Sequence, residues 1–183
     1  MDTILIFTDA ATSPTMNMSV GAFLCLDSKQ MNNYAECSLE DLYIQLSDVI
    51  VYQEYESKKS TWSEIKTVID ALNFIQINLV TVQKVEIYTD CQSLCDLLGR
   101  RKDKLQKNNF MTRASKEHPN ADIYKKLYLI ADKFQITTFK IKGHDSKSNR
   151  VNVTDKVFDV IDKLSRKKLR SLVGWIERSE TLH

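Results

Sequence analysis

Residues 85–94 read Val-Glu-Ile-Tyr-Thr-Asp-Cys-Gln-Ser-Leu. Four of the first five are β-branched or aromatic, which is typical of a strand inside a sheet, and the run ends at Asp90. Residues 4–9, Ile-Leu-Ile-Phe-Thr-Asp, have the same character and also end in Thr-Asp. As adjacent strands, the two segments would bring Asp9 and Asp90 together. They therefore predict a sheet with a pair of neighbouring carboxylates.

Two further carboxylates extend this pattern. Glu64 lies on an amphipathic helix predicted for residues 61–78, and Asp155 follows a strand that closes with Gly143-His144. Carboxylates held close together repel each other unless a cation lies between them, and hard oxygen ligands suit Mg²⁺ or Mn²⁺. Two such ions about 4 Å apart can activate water and steady the leaving oxygen of a phosphodiester. The order predicts a divalent-metal nuclease, although each carboxylate taken alone is equally well explained as a cap.

The motifs around these carboxylates resemble those of the ribonuclease H family, type 1-like. Residues 89–94 resemble its Thr-Asp-Ser-Gln stretch, in which the Asp binds metal. Residues 62–65, Trp-Ser-Glu-Ile, resemble the start of its first long helix, whose Glu binds metal. Residues 140–144, Lys-Ile-Lys-Gly-His, resemble its Val-Lys-Gly-His segment, in which the His assists turnover. The resemblance implies an α/β ribonuclease H-like fold, with a mixed five-stranded sheet flanked by helices, and a catalytic role for His144.

The resemblance also implies an activity. The expected protein is an endonuclease that hydrolyses the RNA strand of RNA–DNA hybrids with two Mg²⁺ ions, held by Asp9, Glu64, Asp90 and Asp155. Mn²⁺ is the alternative ion. Two other interpretations stay open. The first is a nuclease of the same fold that acts on DNA or structured nucleic acid, because strand-end carboxylates do not select the substrate. The second is an inactive nucleic-acid-binding module that has lost a metal ligand.

The chain departs from the family pattern at two places. Asp9 is followed by Ala10-Ala11, where the family has Gly-Ser. The segment after His144 lacks the family's Glu and has a shifted spacing before Asp155. Asp159, one helical turn further on, is the alternative fourth ligand, and both residues also fit a solvated helix surface.

Basic residues cluster behind the helix that follows Asp90. The family often carries a basic protrusion here that grips the DNA strand, so contacts with phosphates are expected, although basic residues also favour helix ends. A second basic run, Arg166-Lys167-Lys168 and Arg170, fits a solvated face or an accessory patch. The predicted nucleic-acid-binding residues are Gln92, Ser93, Arg100, Arg101, Lys102, Lys104 and Lys107.

Composition agrees with one compact enzyme domain over residues 1–183. The chain is 43% hydrophobic, has a net charge of +2 and contains no linker-like segment. Its four glycines form no phosphate-cradling loop, and its four cysteines lack the spacing of a disulfide framework or a zinc site. No targeting signal or membrane span is present, so a soluble cytoplasmic protein is expected. No protein partner is inferred.

The predicted elements alternate along the chain. Strands are expected at 3–9, 20–27, 48–56, 84–89 and 135–142, with the first three antiparallel. Helices are expected at 61–78, 91–99, 121–133 and 153–172. Residues 28–47 exceed what the family needs between its second and third strands, and the sequence suggests no role for them.

Overall fold

The computed structural model describes residues 3–57, 59–141 and 152–180. They contain one five-stranded sheet in the order β3-β2-β1-β4-β5. The first three strands are antiparallel neighbours, while β4 runs parallel to both β1 and β5. This topology confirms the predicted α/β fold with a mixed sheet. The strands are β1 (Thr3–Ser13), β2 (Met18–Asp27), β3 (Val51–Tyr55), β4 (Lys84–Thr89) and β5 (Gln135–Lys140).

Helices cover both faces of the sheet, because side chains alternate along each strand. Ile4 and Ile6 of β1 pack with one set of helices, α3, α4 and α6. Leu5 and Phe7 pack on the opposite face with α1, α2 and α7. The helices are α1 (Ser28–Asn33), α2 (Leu39–Ser47), α3 (Ser60–Asn78), α4 (Gln92–Leu98), α5 (Lys102–Lys107), α6 (Ala121–Ala131) and α7 (Val153–Glu180).

The first strand is longer than its sequence pattern predicts. It pairs with β2 as far as Ser13, opposite Met18, and the hairpin closes through a turn in which Asn17 adopts a left-handed φ of 50°. Pairing with β4 stops earlier, at Phe7 opposite Tyr88. Asp9 therefore lies inside β1, two residues beyond the last pair with β4, rather than at the end of a strand.

Residues 28–47 fold into α1 and α2. Asp27 and Gln30 form a reciprocal capping box at α1, and Ser38 caps α2. Leu42 and Leu46 of α2 are fully buried in the cluster that holds α7 against the sheet. The insertion thus provides packing for the last helix. Because α2 extends to Ser47, β3 begins at residue 51 rather than at the predicted 48.

The α3 helix approaches β2 closely at Gly21. A Cβ atom on Gly21 would lie 2.1 Å from Thr67 Oγ1 and 2.8 Å from the Tyr55 ring. Glycine is therefore required at this point of the strand for the helix to pack at its present height. Thr67 lies one turn of α3 beyond Glu64, so this close approach involves the part of the helix that carries Glu64.

The last helix is the longest element, with 28 residues, and it runs eight residues past the predicted end at 172. It contacts β1, β2 and α2. Within the described ranges, neither α7 nor any other helix combines the length and apolar character needed to cross a membrane.

Candidate active site

Three of the four predicted carboxylates meet at the end of β4. Asp9 comes from β1, Glu64 from the second turn of α3, and Asp90 from the residue directly after β4. One oxygen atom from each carboxylate lies within 4.8 Å of the others. The strand order makes this possible, because β1 and β4 are parallel neighbours and α3 begins beside them. We call these three residues the carboxylate triad.

Glu64 is held by the backbone of β1. The Ala10 amide donates a hydrogen bond to Glu64 Oε1 at 3.3 Å, at a point where β4 no longer pairs with β1. Glu64 is only 6% exposed, and its Oε2 atom is buried with no hydrogen-bond partner in the part of the chain that the structure describes. A buried carboxylate oxygen without a donor is costly, and a cation would satisfy it.

Burial and mutual repulsion disfavour the charged form of the triad. Burial, together with the charges of Asp162 and Asp90, raises the pKa of Asp9 to about 6. The pKa of Glu64 lies well above its usual range because of burial and the charges of Asp9 and Asp90. A divalent cation would reverse both effects by attracting the ionised carboxylates. The donor set of carboxylate oxygens therefore fits Mg²⁺ or Mn²⁺.

Two residues of α7 that were not predicted from the sequence also contribute to this site. The Ser165 hydroxyl donates a hydrogen bond to Asp9 Oδ2 and lowers the pKa of that carboxyl. Asp162, one turn earlier, raises the pKa of both Asp9 and Glu64, and it pairs with Arg166 at 2.7 Å. The helical spacing of Asp159, Asp162 and Arg166 was the available signal for a polar face on this helix.

The predicted fourth ligand, Asp155, is not brought to the triad. It lies in the first turn of α7, where its backbone amide donates to Asn152 Oδ1 at 2.8 Å. Ten residues separate it from Ser165, which corresponds to about 15 Å along a helix. Asp159 is buried and pairs with Lys163 at 2.7 Å. His144 lies outside the described residues, so its role stays a prediction.

The predicted nucleic-acid-binding residues lie on and around α4 and α5. Arg100 forms a two-point ion pair with Asp96, which also accepts a hydrogen bond from Gln92. Lys102 pairs with Asp132 of the segment after α6. Arg101 and Ser93 are half-buried, whereas Lys104 and Lys107 are exposed on α5. Arg100, Arg101, Lys102, Lys104 and Lys107 therefore form a basic block at the surface. Two of its cations, Arg100 and Lys102, also pair with protein carboxylates.

The cysteines take no part in a metal cluster in the part of the chain that is described. All four are free thiols. Cys91 follows Asp90 directly, and burial together with the charges of Glu64 and Asp90 raises its pKa to about 11. The thiol is therefore protonated at neutral pH in the metal-free protein.

Comparison with known proteins identifies the family. The sequence profile of the RNase H family matches residues 1–160, and the chain belongs to this family. None of the curated protein sequences is significantly similar to it. The family match and the five-stranded sheet together define an RNase H-like protein.

Solved RNase H structures share the fold at low sequence identity. LC9-RNase H1, a type 1 RNase H with the type 2 active-site motif, is 11% identical with a TM-score of 0.66, over 91% of this chain and 72% of that one. RNase H1 from the halophilic archaeon Halobacterium salinarum is 11% identical with a TM-score of 0.55, over 92% and 98%. LC11-RNase H1 in complex with an RNA/DNA hybrid is 14% identical with a TM-score of 0.53, over 91% and 99%.

Proposed function

We propose that the protein is a metal-dependent endonuclease that hydrolyses the RNA strand of RNA–DNA hybrids. The observation that carries this proposal is the carboxylate triad, in which Glu64 Oε2 is buried without a protein donor among the described residues. Membership of the RNase H family supports the reaction class. The hybrid bound by LC11-RNase H1 supports the substrate class by likeness of fold.

The triad would hold two Mg²⁺ ions, with Mn²⁺ as the alternative. Ions bound there supply an activated water and neutralise charge at the scissile phosphate and its leaving oxygen. The protein's own contribution is to position the ligands. The Ala10 amide orients Glu64, and the Ser165 hydroxyl orients Asp9. Such hydrogen bonds behind metal ligands fix their orientation and strengthen binding.

The fourth carboxylate of the site comes from α7. The family resemblance assigns it to Asp155, with Asp159 as the alternative, and this assignment stays a prediction. Asp162 is the α7 carboxylate whose charge acts on both Asp9 and Glu64. It therefore competes with Asp155 for this role, and substitution of each residue distinguishes them.

The nucleic acid would pass from the triad to the basic block. Exposed Lys104 and Lys107 are the strongest candidates for phosphate contacts, followed by Arg100, Arg101 and Lys102. Gln92 and Ser93 lie at the start of α4, next to Asp90, where polar side chains would meet sugar hydroxyls of the RNA strand.

A substrate panel tests the proposal. The purified protein is incubated with an end-labelled RNA–DNA hybrid, duplex DNA of the same sequence and single-stranded RNA, each with Mg²⁺, Mn²⁺ or EDTA. Metal-dependent cleavage of only the RNA strand of the hybrid is the expected result. Cleavage of duplex DNA would instead identify a DNA nuclease of the same fold. Binding of the hybrid without cleavage in any metal would identify an inactive binding module.

A further inference from the structure

A groove with a volume of about 330 Å³ opens beside Asp9, on the side of β1 that faces α7. Asp9 and Thr12 form its β1 wall, and Arg166, Leu169 and Arg170 form its α7 wall. Because Asp9 belongs both to the groove and to the carboxylate triad, the two sites are continuous.

The α7 wall comes from residues that follow the family match, which ends at residue 160. Packing nevertheless fixes it in place. Leu169 is buried against Ala11 and Val20 of the sheet, one turn beyond the hydrogen bond from Ser165 to Asp9. The helix therefore has a defined rotation about its axis, and that rotation directs the groove-lining residues toward β1.

The cations in this wall have the chemistry of a phosphate site. Arg166 and Arg170 are four residues apart, so they lie on one helix face, and both are exposed. Arg166 pairs with Asp162 and lowers the pKa of Asp9, so part of its charge offsets the acidic site. Arg170 stands one turn further from the triad. Its planar guanidinium fits a phosphodiester oxygen pair, and a polyanion beside three carboxylates needs such compensation.

We propose that this groove binds a backbone phosphate of the nucleic-acid strand held at the triad, with Arg170 as the principal contact and Arg166 as a second. The inference rests on the proposed function insofar as the triad acts on nucleic acid. It adds a substrate contact on the opposite side of Asp9 from the basic block of α4 and α5. The part of α7 beyond the family match then extends the substrate-binding surface.

Salt-dependent binding tests this inference without requiring cleavage. A fluorescently labelled RNA–DNA hybrid is titrated in EDTA with the wild type, Arg170→Gln and the Arg166→Gln/Arg170→Gln double variant, and anisotropy is followed over a range of salt concentrations. Loss of each phosphate contact should weaken binding several-fold and reduce the slope of log K against log salt by about one. Circular dichroism and the unfolding midpoint verify that each variant is folded.

Lys167→Gln is the matched control, because it removes one charge from the same helix. Lys167 Nζ lies 3.2 Å from the Tyr43 hydroxyl of α2, away from the groove. Its affinity and salt slope should equal those of the wild type. Wild-type affinity and slope in the double variant would overturn the inference, as would an equal loss in the control.

The two proposals fail in different ways. If the wild type binds the hybrid through Arg170 but cuts nothing in Mg²⁺ or Mn²⁺, the proposed function is wrong and the phosphate-binding role of the groove stands. If the double variant cuts the hybrid with wild-type affinity and KM, the proposed function stands and the phosphate-binding role of the groove is wrong. The absence of any salt-dependent binding by the wild type would overturn the inference outright.

Discussion

The Ser165 hydroxyl of α7 donates a hydrogen bond to Oδ2 of Asp9, a residue 156 positions earlier in the middle of β1. This contact ties the last helix to the carboxylate triad. It also stabilises the ionised form of a side chain whose pKa is raised by burial. The orientation and the charge of Asp9 thus depend on the register of a helix at the other end of the chain.

Ser165→Ala should shift metal binding to higher pH. Loss of the hydrogen bond raises the pKa of Asp9 above its value of about 6, and the carboxyl must lose its proton to bind a cation. We expect the acid limb of Mn²⁺ binding to move up by on the order of half a unit to one unit, as measured by isothermal titration calorimetry across pH. Ser171→Ala is the control, because Ser171 is exposed and donates only to the Lys168 carbonyl of its own helix. Equal profiles for Ser165→Ala and the wild type would contradict the role of Ser165.

Asp9→Asn should stabilise the metal-free protein above neutral pH. The folded pKa of Asp9 is raised from 3.8 to about 6, so its contribution to stability is present at low pH and is lost as pH rises through about 6. At pH 8 in EDTA, the variant should exceed the wild type by up to about 3 kcal/mol in free energy of unfolding. The difference should shrink toward pH 4, as followed by urea denaturation.

Divalent metal should reverse that order of stability. Mg²⁺ or Mn²⁺ binds the folded wild type and stabilises it by mass action, whereas Asp9→Asn has lost a ligand. Asp48→Asn, at the exposed end of α2, serves as the control and should follow the wild type under both conditions. If Asp9→Asn instead lowered the free energy of unfolding in EDTA at pH 8, the ionised Asp9 would not destabilise the metal-free protein, and the prediction would be wrong.

Asp162→Asn should weaken Mn²⁺ binding more than Asp155→Asn does. Asp162 acts electrostatically on two members of the triad, whereas Asp155 lies about 15 Å along the helix from Ser165. A loss of about tenfold or more is expected for Asp162→Asn. Electron paramagnetic resonance of free Mn²⁺ measures both affinities under the same conditions. A larger loss for Asp155→Asn would assign the fourth ligand as the family resemblance does.

Gly21→Ala should destabilise the fold and displace Glu64. The added methyl group would overlap Thr67 and Tyr55, so α3 must move away from β2. Overpacking of this kind costs about 1–3 kcal/mol or more, measurable as a lower unfolding midpoint. Gly99→Ala at the end of α4 is the comparison. The added Cβ would lie 3.0 Å from Cys95 O, a less severe overlap than at Gly21, so a smaller loss of stability is expected. Gly21→Ala with wild-type stability would mean that the helix does not need glycine there.

The sequence was sufficient to predict the strands that carry Asp9 and Asp90, because alternation and strand-end residues are local signals. The helix bearing Glu64 was likewise visible from its apolar spacing. The extension of β1 past Asp9 could not be predicted, because it depends on pairing with β2. Local patterns also gave no indication that β1 pairs with β2 over more residues than it pairs with β4.

The contribution of α7 to the site was harder to predict for a different reason. The turn of α7 that meets Asp9 depends on how the helix packs between the sheet and α2, which in turn depends on the insertion at residues 28–47. Asp27 and Ser38 cap α1 and α2 of this insertion, for which no helices were predicted. No local sequence signal indicates which turn of α7 lies beside Asp9, so the contact between Ser165 and Asp9 could not be predicted.

The cleavage rate of Asp90→Asn tests the central claim most directly. The wild type and the variant are compared on an end-labelled RNA–DNA hybrid in Mg²⁺, and thermal unfolding verifies that both are folded. Asp90 is a half-exposed member of the triad directly after β4, so its replacement should abolish cleavage with little loss of folding. Cleavage by the folded variant at the wild-type rate would contradict the assignment of the carboxylate triad as a metal centre.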